Sequence, residues 1–191
     1  MNQERLNEIE KPLLHLVERD VVPALGCTEP ISLALAAATA AKYLGKTPER
    51  IEAKVSPNLM KNGLGVAVPG TGMVGLPIAA AIGALGGDPE GELEVLKHIT
   101  PEQVSQAKAM LDKKLVNVDI HQTDHILYSE AVLFANNDWV KIAIQDQHTN
   151  IILIEKNGEV IFEKEQDECA DCDPYDIFKQ VSAREIFEFS C

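Results

Sequence analysis

Cys27 is the side chain whose position in this sequence most favours chemistry. It lies in the stretch 23–30, between a turn at Gly26 and an alanine- and leucine-rich run that predicts a helix over residues 29–44. We expect Thr28 to be the N-cap of that helix. A thiol just before a helix N-terminus has a lowered pKa, and the thiolate is both a nucleophile and a metal ligand. The alternative is a small buried hydrophobe at a helix entrance, since unpaired cysteines are often buried.

A second group of polar side chains follows a predicted strand over residues 51–56. Asn58, Lys61 and Asn62 lie in the segment 57–63, which its turn-forming residues predict to be a polar loop. Amide and amine groups of this kind suit the carboxylate and ammonium of an amino acid. They also serve simply to satisfy the backbone of a turn.

A glycine-rich segment, residues 69–75, enters a predicted helix that begins at about Leu76. Such an entrance presents backbone N–H groups to an anion. Its spacing matches neither the phosphate-binding loop nor the dinucleotide fingerprint. A substrate carboxylate and simple tight packing are the two remaining hypotheses.

Two further sequence features lie in predicted turns. His148 and Asn150 occupy a turn between two predicted strands, where they contact a substrate or only cap a loop. Cys169 and Cys172 form a C-x-x-C unit among acidic residues, and carboxylates raise a thiol pKa. We therefore interpret this pair as an exposed loop feature.

The helices and strands that must position these groups are predicted to form an α+β fold, with alanine-rich buried helices packed on a largely antiparallel sheet. Helical periodicity marks the first residues, with Pro12 predicted to kink that helix or to mark its true start. Alternating apolar residues mark the strands. The predicted helices are 2–21, 29–44, 76–85, 90–98, 100–113 and one or two within 174–189; the predicted strands are 51–56, 64–68, 116–120, 126–135, 139–145, 150–155 and 160–163.

Composition excludes several classes of protein. The 191 residues carry a formal net charge of −13, which argues against binding nucleic acid or an anionic membrane through a basic face. Four cysteines in a chain of this length do not predict a disulfide scaffold, and the first residues do not match a signal peptide, so we expect a cytoplasmic protein. Residues 62–87 carry no charge but contain many glycines, which favours a loop and a buried helix over a membrane span.

Three segments, residues 23–30, 55–63 and 68–77, resemble the amino-terminal part of the bacterial and archaeal L-cysteine desulfidase family. That family is related to the α-chain of iron–sulfur L-serine dehydratases, and much of it was long catalogued as an uncharacterised protein group. The resemblance implies β-elimination of L-cysteine to pyruvate, ammonia and sulfide by a lyase that uses a [4Fe-4S] cluster.

The resemblance also implies roles for particular residues. Cys27 matches the first cluster ligand, which makes it a metal-binding and catalytic candidate, and Lys61 is a second catalytic candidate. The candidates for binding the amino-acid substrate are Asn58, Asn62, Pro69, Gly70, Thr71, Gly72, His148 and Asn150.

Members of the resembled family are longer, and their other cluster cysteines lie in a carboxy-terminal helical half. Cys169, Cys172 and Cys191 do not match those positions. We therefore expect residues 1–191 to be one α+β domain, an amino-terminal fragment that needs its carboxy-terminal half as a partner and is inactive and without a cluster alone. An L-serine dehydratase-like deaminase, a non-catalytic amino-acid-binding or regulatory module, a structural fragment and a homo-oligomer remain open.

Overall fold

The computed structural model describes residues 3–164 and 175–190. The chain forms two compact units, one made of residues 24–165 and the other of residues 1–23 with 166–191. The larger unit contains helices and a mostly antiparallel sheet, which confirms the predicted α+β class. Its helices are α2 (Thr28–Leu44), α3 (Pro57–Gly63), α4 (Leu76–Gly86), α5 (Pro101–Asp112) and a 3-10 helix (Pro89–Glu94); its strands are β1 (Arg50–Val55), β2 (Ala67–Val68), β3 (Met73–Val74), β4 (Val116–Ile120), β5 (Tyr128–Ala135), β6 (Asp138–Gln145), β7 (Ile151–Lys156) and β8 (Glu159–Glu163).

The main sheet of this unit has the strand order β4-β1-β5-β6-β7-β8. Only the pair β1–β4 is parallel, and every other neighbouring pair is antiparallel. In β1 and β5 the residues alternate between buried and more exposed positions, as expected for strands with one face on a core. Strands β2 and β3 form a separate hairpin that spans the glycine-rich segment.

Helix α2 is buried along almost its whole length, as its composition predicts. The six alanines among its 17 residues let α4 pack closely against it. A Cβ atom built at Gly83 of α4 would lie 2.3 Å from the carbonyl oxygen of Ala34 in α2, far inside van der Waals contact. Gly45 ends α2 in the left-handed conformation, with φ of 67°, as a C-terminal glycine should.

Three local predictions are wrong. Residues 57–63 form helix α3 rather than a loop, because Ser56 caps it by accepting a hydrogen bond from the Leu59 N–H at 3.3 Å and Pro57 follows at the first helical position. The predicted strand 64–68 shrinks to two residues. The predicted helix 90–98 is a short 3-10 helix, in which Glu92 leaves helical geometry with φ of 48°.

The smaller unit contains α1 (Gln3–Asp20), a 3-10 helix (Asp176–Lys179) and α6 (Ala183–Ser190). Helix α1 continues through Pro12, so this proline does not mark its start. Arg5 joins the two ends of the unit, since its Nε donates to the carboxylate of Glu185 at 2.8 Å and its Nη2 donates to the carbonyl of Gln180 at 2.7 Å. Cys169, Cys172 and Cys191 lie outside the described residues.

Within residues 3–164 and 175–190, no helix has both the length and the apolar character needed to cross a bilayer. The charge-free segment 62–87 forms the end of α3, the β2–β3 hairpin and α4. The predicted loop and buried helix are therefore present.

We expect Gly83→Ala to lower the free energy of unfolding by about 1–3 kcal/mol, because the added methyl group must push α4 away from Ala34. Urea unfolding followed by circular dichroism measures this change. Gly91→Ala is the matched control, since a Cβ atom there meets nothing within 4 Å, and we expect a change within about 0.5 kcal/mol. Equal effects of the two substitutions would contradict close α2–α4 packing.

Candidate functional site

Several of the segments that connect the strands of the main sheet leave it at one edge, where the strands end. Strand β1 ends at Val55, beside the end of its parallel partner β4 at Ile120 and the start of its antiparallel partner β5 near Ser129. Strand β6 ends at this same edge because Gln145 pairs with Tyr128. Helix α3 and the β6–β7 turn therefore leave the sheet on the same side.

The first turn of α2 is held at this edge by a buried pair of hydroxyl groups. The Oγ atoms of Ser32 and Ser129 lie 2.9 Å apart, and both side chains are fully buried. A buried hydroxyl without a partner is costly, so this hydrogen bond fixes the register of α2 on β5. It also places Cys27 and Glu29, just before Ser32, at the edge where α3 begins.

Cys27, and not Thr28, is the N-cap of α2. Its backbone is extended, with φ of −79° and ψ of 135°, and Thr28 is the first helical residue. The Cys27 side chain makes no capping hydrogen bond and is exposed, so the interpretation as a buried hydrophobe is wrong. An exposed thiol at this place is free to react or to bind a metal.

The thiol of Cys27 donates a hydrogen bond to Oε2 of Glu29 at 2.8 Å. This bond to a carboxylate, helped by partial desolvation, raises the pKa of Cys27 above its ordinary value. The prediction that the helix N-terminus lowers this pKa is therefore wrong, because the hydrogen bond to Glu29 and desolvation outweigh the backbone N–H groups of Glu29 and Thr28, which lower it. The same bond holds the pKa of the Glu29 carboxyl below its usual range.

Helix α3 presents its polar residues outward. Asn58, Lys61 and Asn62 are exposed at positions three and four apart, on one helical face, while Leu59 is buried behind them. The Nδ2 of Asn62 lies 3.4 Å from Oε1 of Glu29, a long hydrogen bond that brings α3 to the Cys27 turn. Within the described part of the chain Lys61 has no ion-pair partner.

His148, in the β6–β7 turn, lies close enough to Glu29 for their charges to interact. Partial burial lowers the pKa of His148, and the negative charge of Glu29 opposes this shift. Asn150 makes different contacts, since its Nδ2 donates to the carbonyl of Gln145 at 2.9 Å and its Oδ1 accepts from Lys164 at 2.7 Å. Asn150 therefore shapes the turn, and the structure does not bring it to Glu29.

The glycine-rich segment packs directly against the Cys27 turn. Gly26 has φ of 85°, and a Cβ atom there would lie 2.7 Å from Cγ of Pro69, so both its conformation and its neighbour require glycine. The buried hydroxyl of Thr71 donates to the carbonyl of Val68 at 2.8 Å and accepts from the N–H of Met73 at 3.0 Å. Thr71 thus holds the loop in shape and has no hydrogen left to donate to a ligand.

A cavity of about 430 Å³ opens on the far side of this loop. It is bounded by the loop and by the start and first turns of α5, and Cys27 and Glu29 do not line it. Its lining residues are Gly70, Thr71, Gly72, Ile99, Thr100, Pro101, Val104 and Lys108.

The predicted site residues therefore fall into two groups that meet at the contact between Gly26 and Pro69. Cys27, Asn62 and His148 gather around Glu29, and Gly70 to Gly72 line the cavity. Sequence analysis missed Glu29 as a site residue and missed Lys108 altogether. Glu29 stands two residues after the cysteine, a spacing that a helix N-cap brings within hydrogen-bonding distance; Lys108 carries no comparable signal, because it lies on a separate helix.

No family model matches this chain. It is 58% identical over 187 residues to a UPF0597 protein of Actinobacillus pleuropneumoniae and 55% identical over 180 residues to one of Yersinia enterocolitica. It is also 49% identical over 193 aligned positions to the UPF0597 protein YhaM of Salmonella gallinarum. These alignments cover 96%, 93% and 99% of this chain. The chain is thus similar, over nearly all its length, to an uncharacterised protein family.

The same relatives are much longer than this chain. The alignments cover 42%, 41% and 44% of their lengths, so the chain spans about two fifths of each relative. The relatives' names state no activity, substrate or partner.

We expect Glu29→Gln to lower the pKa of Cys27, because the substitution removes the negative charge that favours the protonated thiol. The rate of alkylation of Cys27 by iodoacetamide, followed by peptide mass mapping as a function of pH, should then rise at a lower pH than in the parent. Glu102→Gln, at the first turn of α5, is the control and should leave the profile unchanged. A profile that stays in place or moves to higher pH in Glu29→Gln would show that Glu29 does not control the thiol.

Proposed function

We propose that this chain supplies one half of the active site of an iron–sulfur-dependent L-cysteine desulfidase, a cytoplasmic lyase. The observation that carries the proposal is the exposed thiol of Cys27 at the start of α2, with Glu29, Asn62 and His148 around it. The sequence resemblance selects this same cysteine as a cluster ligand. The length of the relatives supports a second half as the partner of this chain.

The residues present fit one ligand of a [4Fe-4S] cluster. Cys27 offers an exposed thiol, and the described residues contain no group of three histidine, cysteine or acidic side chains close enough to hold a metal. The other ligands must come from outside the described residues. When bound, such a cluster supplies an open iron that acts as a Lewis acid on the leaving sulfur of the substrate.

The chain's own contribution to ligation is a proton acceptor. A thiol must lose its proton to bind a metal. Oε2 of Glu29, 2.8 Å from the Cys27 sulfur, already accepts the hydrogen bond along which that proton leaves. Ligation would release this proton to solvent, with Glu29 as the first acceptor on its way, because a carboxyl group whose pKa is lowered does not retain it.

Helix α3 offers the amino-acid substrate a cation and two amides beside Glu29. The ammonium group of Lys61 complements a carboxylate, and the amides of Asn58 and Asn62 both donate and accept hydrogen bonds. All three side chains are exposed at the edge of the sheet where Cys27 lies. This arrangement favours binding of a zwitterion next to the cysteine.

Two other functions remain candidates, each with an observation behind it. An L-serine dehydratase-like deaminase would use the same groups, since the residues around Cys27 do not distinguish a thiol from a hydroxyl leaving group. A non-catalytic amino-acid-binding module is favoured by the cavity of about 430 Å³, which Cys27 does not line.

The test uses a protein of the relatives' full length that carries this sequence, prepared anaerobically with Cys27 and with Cys27→Ala. We expect the parent to bind iron and to release sulfide and pyruvate from L-cysteine, and the variant to lose most of its iron and activity, as loss of a ligating thiolate requires. Iron content, visible absorption and product assays measure this, with L-serine as the second substrate.

Lys46→Ala, which removes an exposed lysine paired with Asp138 outside the site, is the control and should retain iron and activity. Full iron and turnover in Cys27→Ala would refute the proposal. Saturable amino-acid binding by a parent that has no turnover would favour the binding module.

A further inference from the structure

We propose that the cavity between the glycine-rich loop and α5 binds the carboxylate of a small amino or oxo acid, and that Lys108 is its cationic partner. The cavity holds about 430 Å³, which lies in the range of small-molecule sites. Lys108 is not among the site residues that the sequence predicts. Among the described residues that line the cavity, it is the only charged one.

Lys108 is available to an anion. Its side chain is half-buried, and within residues 3–164 and 175–190 it forms no ion pair. Some other lysines of this unit pair with carboxylates, as Lys97 does with Glu94 and Lys141 with Glu155, whereas Lys61, like Lys108, does not within the described part of the chain. In a chain with 30 acidic and 17 basic residues, a cavity whose lining charge is a lysine alone selects an anion from solution.

The loop supplies further donors. Gly70 and Gly72 line the cavity, and their backbone N–H groups have no hydrogen-bond partner among the described residues, whereas those of Thr71 and Met73 do. Both glycines have positive φ, at 74° and 65°. The residues that line the cavity thus include two backbone N–H groups without a partner among the described residues and one ammonium group, which are donors of the kinds that bind a carboxylate.

The N-terminus of α5 does not compete for this role. Thr100 and Gln103 form a capping box, in which each side chain accepts the other's backbone N–H, at 3.3 and 2.8 Å. Pro101 has no N–H group. The carboxylate of Glu102 accepts hydrogen bonds from its own N–H and from Thr100, which lowers the pKa of Glu102. The helix end is therefore satisfied internally, and the anion must be bound by Lys108 and the loop.

Part of the cavity lining is apolar. Ile99 and Val104 belong to this part, and Val104 and Lys108 lie four residues apart on one face of α5. A ligand whose carboxylate binds Lys108 would thus place a short apolar group against Ile99 and Val104. This combination fits a small amino acid such as alanine, or the oxo acid pyruvate, better than inorganic phosphate.

This inference goes beyond the proposed function, since it concerns a second carboxylate site, formed by Lys108 and the loop and apart from Cys27 and α3. Its test needs no cluster and no turnover. A lyase that lacks this binding would overturn the inference alone, and binding without lyase activity would overturn the proposed function alone.

The experiment is a titration of the isotopically labelled 191-residue chain with L-alanine and with pyruvate, followed by ¹H–¹⁵N NMR. We expect saturable shifts of the Gly70 and Gly72 amide signals with one or both acids, which also distinguishes the amino acid from the oxo acid. Propionamide, which has no charge, should produce neither shift. Lys108→Met should weaken binding about tenfold or more, the loss expected for one charge-assisted hydrogen bond.

Lys108→Arg keeps the charge, so we expect its dissociation constant to lie within about threefold of the parent's. This is a smaller change than the roughly tenfold loss expected when one charge-assisted hydrogen bond is removed. Lys113→Met, at the other end of the same helix, is the matched control and should bind as the parent does. The inference is overturned by unshifted Gly70 and Gly72 signals, by equal shifts with propionamide, or by equal weakening in the variants at 108 and 113. The propionamide comparison stands even where a variant folds poorly.

Discussion

The close packing of α2 between the sheet and α4 is the constraint on which the rest of this structure depends. Helix α2 is buried along nearly all its length, and Ala34 meets Gly83 with no room for a methyl group. Larger side chains at this contact would separate the two helices, because protein interiors are close-packed. The buried Ser32–Ser129 hydrogen bond fixes the position of α2 along the sheet, since it sets which part of α2 lies over the start of β5. Helix and sheet thus fix the position of Cys27 before any site residue contributes.

The site follows from where the strands end. Parallel pairing of β1 with β4 and antiparallel pairing of β1 with β5 bring α3 and the β6–β7 turn to one edge of the sheet. Asn62 and His148 reach Glu29 from these two connections, while the helix start contributes Cys27. Positions far apart in sequence therefore meet around one carboxylate. The rigid elements hold them, and the connections leave them exposed to a ligand.

The fold class, the long helices and most strands could be predicted from periodicity and from the glycine and proline signals. Helix α3 is also within reach of such reasoning, because the Ser56–Pro57 pair is a helix-start signal that competes with the turn chemistry of the same segment. The raised pKa of the thiol could not be predicted from the helix dipole alone, because it results mainly from the hydrogen bond to Glu29 at 2.8 Å and from desolvation, which only the folded chain shows. Lys108 could not be predicted at all, since its relation to Gly70 and Gly72 exists only once α5 packs beside the loop.

The two groups of polar residues carry opposite charge, and this difference bears on what the chain binds. Glu29 gives the Cys27 turn a carboxylate, whereas Lys108 gives the cavity an ammonium group. Pro69 lies against Gly26, so the loop that lines the cavity contacts the turn that carries Cys27. A zwitterionic amino acid presents one charge of each sign. Because the protein carries a net charge of −13, attraction of a carboxylate requires a local cation. The Glu29 carboxylate therefore favours a cationic group and Lys108 an anionic one, at two places on the chain.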